Sequence, residues 1–161
     1  MDELKILSKD EVQSIGKEFD GDSICYSLEF EGRTCEVLED GSEKPLTGMI
    51  YELSSNGNLV FYCTYKDGLK DGDEVEFYES GNLLSFNQMH KGVVHGKSFC
   101  WHDNGKKKSD MISKYGYRLS IKEWDENGIL VKEDNETSEI GSMMIKKYDE
   151  IDEYLRSQAT T

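Results

Sequence analysis

One unit of about two dozen residues is written almost four times between Pro45 and Asn135. The opening glycines Gly48, Gly72 and Gly96 stand 24 residues apart. The central glycines Gly57, Gly81 and Gly105 keep that step, and Gly128 follows after 23. The closing glycines Gly68, Gly92 and Gly116 repeat it a third time. Three glycine ladders in phase define a repeat array, in which each unit buries its apolar face by stacking on its neighbours.

Each unit reads as a hairpin. The central glycines follow the polar pairs Ser55-Asn56, Glu79-Ser80, Asp103-Asn104 and Glu126-Asn127. Such pairs between apolar-rich runs mark tight turns, because the turn needs a positive φ that glycine adopts cheaply. Before each turn apolar residues alternate: Met49, Tyr51 and Leu53, then Val75 and Phe77, then Phe99 and Trp101. A period of two is a strand with one face buried. After each turn comes a second β-rich run, such as Leu59 to Tyr65 or Leu83 to Met89. The closing Lys-Asp-Gly or His-Lys-Gly turn hands the chain to the next hairpin. The predicted fold is mainly β: an antiparallel meander of repeated hairpins, a curved sheet of roughly eight to ten strands with short helices at both ends.

The flanks complete a single predicted domain over residues 1–161. Residues 1–22 predict a helical cap, with Ser8 and Glu11 at capping-box spacing and Val12, Ile15 and Phe19 at helical steps. Residues 23–41 predict a degenerate hairpin covering the first edge of the sheet. The repeats occupy 45–135, and the fourth is degraded, with Leu119 and Ser120 in place of an opening glycine. Residues 139–157 predict a helix whose stripe Met144, Tyr148, Ile151 and Leu155 caps the far end of the sheet. Gln158 to Thr161 is expected to be disordered.

Aligning the units sorts side chains by face. Leu53, Phe77, Trp101 and Trp124 share one position, and Tyr51, Val75 and Phe99 lie two residues earlier, forming an apolar ladder. Glu52, Glu76, Cys100 and Glu123 point the other way. Asp73 and Glu74 thicken the acidic surface, and Tyr62, Tyr78 and Phe86 are expected to be exposed apolar anchors beside it. A carboxylate ladder is most simply a solvated face. It is also what a docking site for an Arg- and Lys-rich protein looks like.

The formal net charge of −14 repels nucleic-acid phosphates and anionic lipid headgroups and attracts basic partners. No apolar run reaches membrane-spanning length, and the start lacks a secretory pattern, so a cytoplasmic location is expected. Cys25, Cys35, Cys63 and Cys100 form neither a C-x-x-C motif nor a dense disulfide framework, and are expected to be reduced.

Nothing in the sequence assembles a catalytic set. His90, His95 and His102 lack zinc-hydrolase spacing, and no metal or cofactor is expected. Cys100 and His102 share a strand and a face, without a third group to orient the histidine. The glycines belong to turns, not to a phosphate loop. Lys106, Lys107 and Lys108 follow a turn and read as edge protection.

The motif of an aromatic or leucine, two residues, then [NS]-G, a polar strand and a [KH]-[DK]-G turn resembles the MORN repeat variant of bacterial proteins. Its carriers are Leu53 to Gly57, Phe77 to Gly81, Trp101 to Gly105 and Trp124 to Gly128, with Lys66-Asp67-Gly68, Lys91-Gly92 and His95-Gly96. The resemblance covers a little over half the chain. It implies a non-catalytic protein-binding module, specifically an immunity protein or antitoxin that neutralises a basic, nucleic-acid-targeting toxin and is monomeric when free. The alternative it implies is a scaffold or membrane-associated adaptor. For the first reading the expected contact residues are Glu52, Glu76, Glu123, Asp73, Glu74, Tyr62, Tyr78 and Phe86.

Overall fold

The computed structural model describes residues 4–159. In chain order the elements are α1 (Lys9–Ile15), β1 (Gly16–Glu18), β2 (Ile24–Ser27), β3 (Arg33–Val37), β4 (Glu43–Pro45), β5 (Gly48–Leu53) and β6 (Leu59–Lys66). There follow β7 (Leu69–Phe77), β8 (Leu83–His90), β9 (Val93–Trp101), β10 (Lys107–Lys114), β11 (Tyr117–Trp124), β12 (Leu130–Asp134) and α2 (Glu139–Ala159). Strands β5 to β12 form the expected antiparallel meander, each pairing with its sequence neighbour. Strand β1 extends it to nine strands by pairing parallel to β5, and β2, β3 and β4 form a separate three-stranded sheet.

Two turn types alternate along the meander, and the sequence dictates both. At the closing turns, Asp67-Gly68, Lys91-Gly92 and Tyr115-Gly116 all have positive φ, as a two-residue type I′ hairpin requires. At the central turns the chain takes a longer path: Ser54 N donates to Asn58 O at 2.8 Å, and Gly57 N donates back to Ser54 O. The same pattern recurs at Tyr78, His102 and Asp125. Side chains then stitch one central turn to the next. Asn58 donates to Glu79 O, Asn82 to Asp103 O and Asn104 to Glu126 O, at 3.2, 2.6 and 3.0 Å. Tyr78 donates its hydroxyl to Trp101 O, and the equivalent His102 Nε2 lies 2.9 Å from Trp124 O.

Residues directly opposite in an antiparallel sheet share a face, so register assigns the two faces. Tyr51, Tyr62, Val75, Phe86 and Phe99 are successive cross-strand partners. They form the apolar ladder, and Leu4, Ile6, Leu7 and Val12 pack on it with Leu53, Phe77 and Trp101. On the other face Ile50, Cys63 and Tyr65 pack against Ile24 of the small sheet and Leu46 just beyond β4. The first units are therefore covered on both sides.

The ends differ from the sequence expectation in four places. The Ser8–Glu11 capping box forms, but α1 stops at Gly16, whose backbone turns extended and joins the large sheet as β1. Ile15 and Phe19 consequently lie exposed and off the helical stripe. Residues 23–41 do not cover the first edge, because β1 already occupies it; the hairpin β2–β3 instead lies on a face. At the other end α2 docks on the closing-turn side, through Gly141, Asp149 and Asp152, so Ile151 and Leu155 face solvent and β12 keeps an open outer edge among the described residues. Finally, Gln158 and Ala159 are helical, while Thr160 and Thr161 of the expected disordered tail, and residues 1–3 of the N-terminal cap, lie outside the described residues.

Candidate partner-binding face

The acidic row lies on the face that carries the small sheet. Glu52, Phe61, Glu76, Ser85, Cys100, Ser109 and Glu123 are successive cross-strand partners from β5 to β11. Phe61 therefore stands between Glu52 and Glu76, flanked by a carboxylate on each side. These three, with Tyr26, Ile50 and Lys70, line a groove of about 360 Å³ between the two sheets. Lys70 Nζ stands 5.4 Å from the Phe61 ring centroid, a cation over an aromatic face. Glu52 is exposed, while Glu76 is half-buried and accepts from Ser85 Oγ at 2.7 Å.

The next row is a bonded polar network. Lys70 donates to Glu74, Asn87 Nδ2 donates to the other oxygen of Glu74 at 3.0 Å, and Ser98 Oγ donates to Asn87 at 2.6 Å. Glu74 is buried among these partners and is not a free docking carboxylate. A buried carboxylate persists only when paired and hydrogen-bonded, and Glu74 is both. Further along, Glu123 pairs with Lys132 at 3.5 Å. Asp73 lies on the opposite face, in register with Gln88 and beside the aromatic ladder.

Two of the expected anchors are buried. Tyr62 is 1% exposed and Phe86 is 2% exposed, because each stands in register with the ladder and not on the acidic side. Tyr62 accepts from Leu7 N at 3.0 Å, which fixes the N-terminal segment across the ladder. Tyr78 is half-buried at a turn and tethers two units. The aromatic residue that does stand in the acidic row is Phe61, which sequence reasoning missed. The run Leu59 to Tyr65 is apolar at nearly every position, so alternation alone does not say which residues face which side.

Other polar clusters have structural partners. His102, two residues from Cys100, places its Nε2 2.9 Å from Trp124 O. Lys106 reaches Asn127 O at 3.2 Å, and Lys107 lies 4.6 Å over the Phe99 ring and 3.1 Å from Asp110. A cleft of about 630 Å³ between the closing turns and α2 is lined by His90, His95, Lys114, Tyr115, Asp149 and Asp152. There Tyr115 donates its hydroxyl to Asp149 and Asp152 at 3.0 and 2.7 Å, and Lys114 pairs with Asp149 at 2.8 Å. Bonds from Lys114 and then Tyr115 hold Asp149 below the usual carboxylate range, and the bond from Tyr115 does the same for Asp152. Burial, then the neighbouring His90 and Lys114, holds His95 below its ordinary value.

Residues 70–85, spanning β7 and the turn into β8, match the MORN repeat variant. The chain carries that repeat. A 48-residue stretch of it is 41% identical to a protein of Bacillus subtilis (strain 168) named Immunity protein YwqK. That stretch is 28% of this chain and 31% of the relative, so the chain spans about a third of the length of the relative it matches. No solved structure matches the chain. The matched unit holds Lys70, Glu74 and Glu76, at the centre of the acidic face. Among the described residues no helix is long and apolar enough to cross a membrane.

Proposed function

We propose that this MORN-repeat chain is a non-catalytic binding module of the immunity type, which neutralises a basic protein toxin by direct contact through its acidic face. The observation that carries the reading is the register Glu52–Phe61–Glu76 at the mouth of a groove. An arginine or lysine from a partner finds two carboxylates and an aromatic face there, the same chemistry that already draws Lys70 over Phe61. The net charge of −14 steers a basic partner toward it and opposes nucleic acid and anionic membranes. Toxins that act on nucleic acids carry basic clefts, and an acidic sheet substitutes for the phosphate backbone in such a cleft. Glu52, Phe61 and Glu76 are the contact residues, with Glu123 at the periphery; the location of action is the cytoplasm.

The test is capture of partners from the native host on the tagged chain, eluted by rising salt. The expected result is one basic protein, toxic when expressed alone and rescued by co-expression of this chain. Changing Glu52 and Glu76 to lysine is then expected to weaken that complex at least tenfold. Rescue by the double variant at full strength would remove the acidic face from the interface. A second reading, a scaffold that assembles through its sheet edge, draws on Ile129, Leu130 and Val131, all exposed at the open strand. Sedimentation separates the two, since the binding module sediments as a monomer and the scaffold does not.

A further inference from the structure

The cysteines are placed unevenly in register. Cys63 stands opposite Ile50 and Glu74, and Cys100 opposite Ser85 and Ser109. Cys25 and Cys35, by contrast, are direct cross-strand partners in β2 and β3, and both are free thiols. Directly opposed residues share a face and hold their Cα atoms about 4.5–5.5 Å apart. That lies inside the roughly 4.4–6.8 Å range across which a disulfide closes. We propose that Cys25 and Cys35 form a thiol–disulfide exchange site whose co-substrate is a low-molecular-weight disulfide.

Exposure orders the steps. Cys25 is half-buried and Cys35 is buried, so the Cys25 thiolate is the one that meets a reagent from solution. It attacks one sulfur of the incoming disulfide, forms a mixed disulfide and releases the first small thiolate. The Cys35 thiolate then attacks the Cys25 sulfur, breaks the bond to the remaining half of the reagent and releases a second small thiolate. Two protein thiols are oxidised to one disulfide, and one reagent disulfide is reduced to two thiols. The two protons given up by the cysteines end on those thiols.

Glu43 sets the pace of this chemistry. It lies on β4, two residues from Pro45, which is the register partner of Cys35. Burial first, and then the Glu43 carboxylate, holds the Cys25 thiol above its ordinary value, and burial followed by Glu43 does the same for Cys35. The attacking thiolate is therefore scarce at neutral pH. The exchange is slow there and quickens as the pH rises. Closure ties together the β2–β3 hairpin, which carries Tyr26 at the lip of the acidic groove. The site rests on strand register alone and is independent of the immunity reading.

The test is exposure of the full chain to oxidised glutathione across a pH series, followed by intact mass, thiol titration and peptide mapping. The expected product has two of its four thiols left, with a mapped Cys25–Cys35 bond. Cys35→Ser is expected to stop at a glutathione adduct on Cys25, and Cys25→Ser to abolish closure. A variant lacking both Cys63 and Cys100 closes as the unaltered chain does. Glu43→Gln shifts the pH–rate midpoint downward, which a merely structural role for Glu43 would not do. A glutathione adduct that persists on Cys25 of the unaltered chain overturns the proposal. So does closure through Cys63 or Cys100, or a Cys25 that stays unreacted until the chain unfolds.

Discussion

The first two units and the last two units share one repeat but not one environment. In the first, Tyr51, Tyr62, Val75 and Phe86 are buried beneath Leu4–Leu7 and α1, and on the opposite face Ile50, Cys63 and Tyr65 are buried beside the small sheet. In the last, Phe99 holds the position equivalent to the buried Tyr51 and Val75 yet is only half-buried, and Val131 is 63% exposed. A hairpin repeat supplies its own strands and turns, but a single sheet has two faces and each needs a cover. Here residues 4–46 supply both covers, and both land on the same end. The stable end is therefore the one that receives non-repeat chain, and the far end holds together through turn-to-turn bonds and the polar seam of α2.

The largest expected effect tests that asymmetry directly. Tyr62→Ala removes a buried ring that also accepts from Leu7 N, and it is expected to cost about 3–5 kcal/mol in urea unfolding. Trp124→Ala, at the half-buried end, is expected to cost about 1 kcal/mol. Equal losses would show that the two ends are equally packed.

A second comparison uses glycine. A Cβ at Gly68 would stand 2.7 Å from both Arg33 Cβ and Thr34 O, where the small sheet meets the large one. Gly81 has a similar positive φ but nothing within 4 Å. Gly81→Ala carries the backbone cost alone, about 1–2 kcal/mol, whereas Gly68→Ala adds the clash and is expected to cost roughly twice that. If the two variants unfold alike, the sheets are not tightly joined at Arg33.

At the far end, Tyr115→Phe removes both hydroxyl bonds to α2. Amide exchange over residues 139–159 is expected to quicken several-fold, with β5 to β8 unchanged. Uniform quickening would mean that the helix and the sheet open as one unit.

The smallest effect is with pH and concerns the same seam. His95 is held below its ordinary value, so the fold favours its neutral form. That contribution is complete above about pH 6.5 and is lost as the pH falls through the lower folded value. Asp149 and Asp152 are also held low, so their contribution is present above about pH 4 and is lost at more acid pH. Exchange in α2 is therefore expected to rise in two stages on acidification, before the first units respond. His95→Gln removes the upper stage, and its persistence in that variant would assign it elsewhere.

Much of the candidate face was legible in the sequence. The period of two placed Glu52, Glu76 and Glu123 together, and register confirms that they share one row. Glu74 was legible as acidic but not as buried, because its partner Asn87 comes from the neighbouring strand and is itself held by Ser98 of the next. Tyr62 and Phe61 are adjacent and aromatic, and only pairing across two neighbouring strands says which faces the groove.

By itself the sequence determined the hairpins, their turns, the length of the meander and the two terminal helices. These follow from local causes: positive φ at glycine, side-chain alternation along a strand and helical capping. Tertiary structure alone decided that β1 occupies the first edge, that the small sheet lies on the acidic face and that α2 packs Tyr148 on Tyr115 while leaving Ile151 and Leu155 outward. Each of those depends on contacts between residues distant in the chain, where burial on one face competes with burial on another and no local pattern records the outcome.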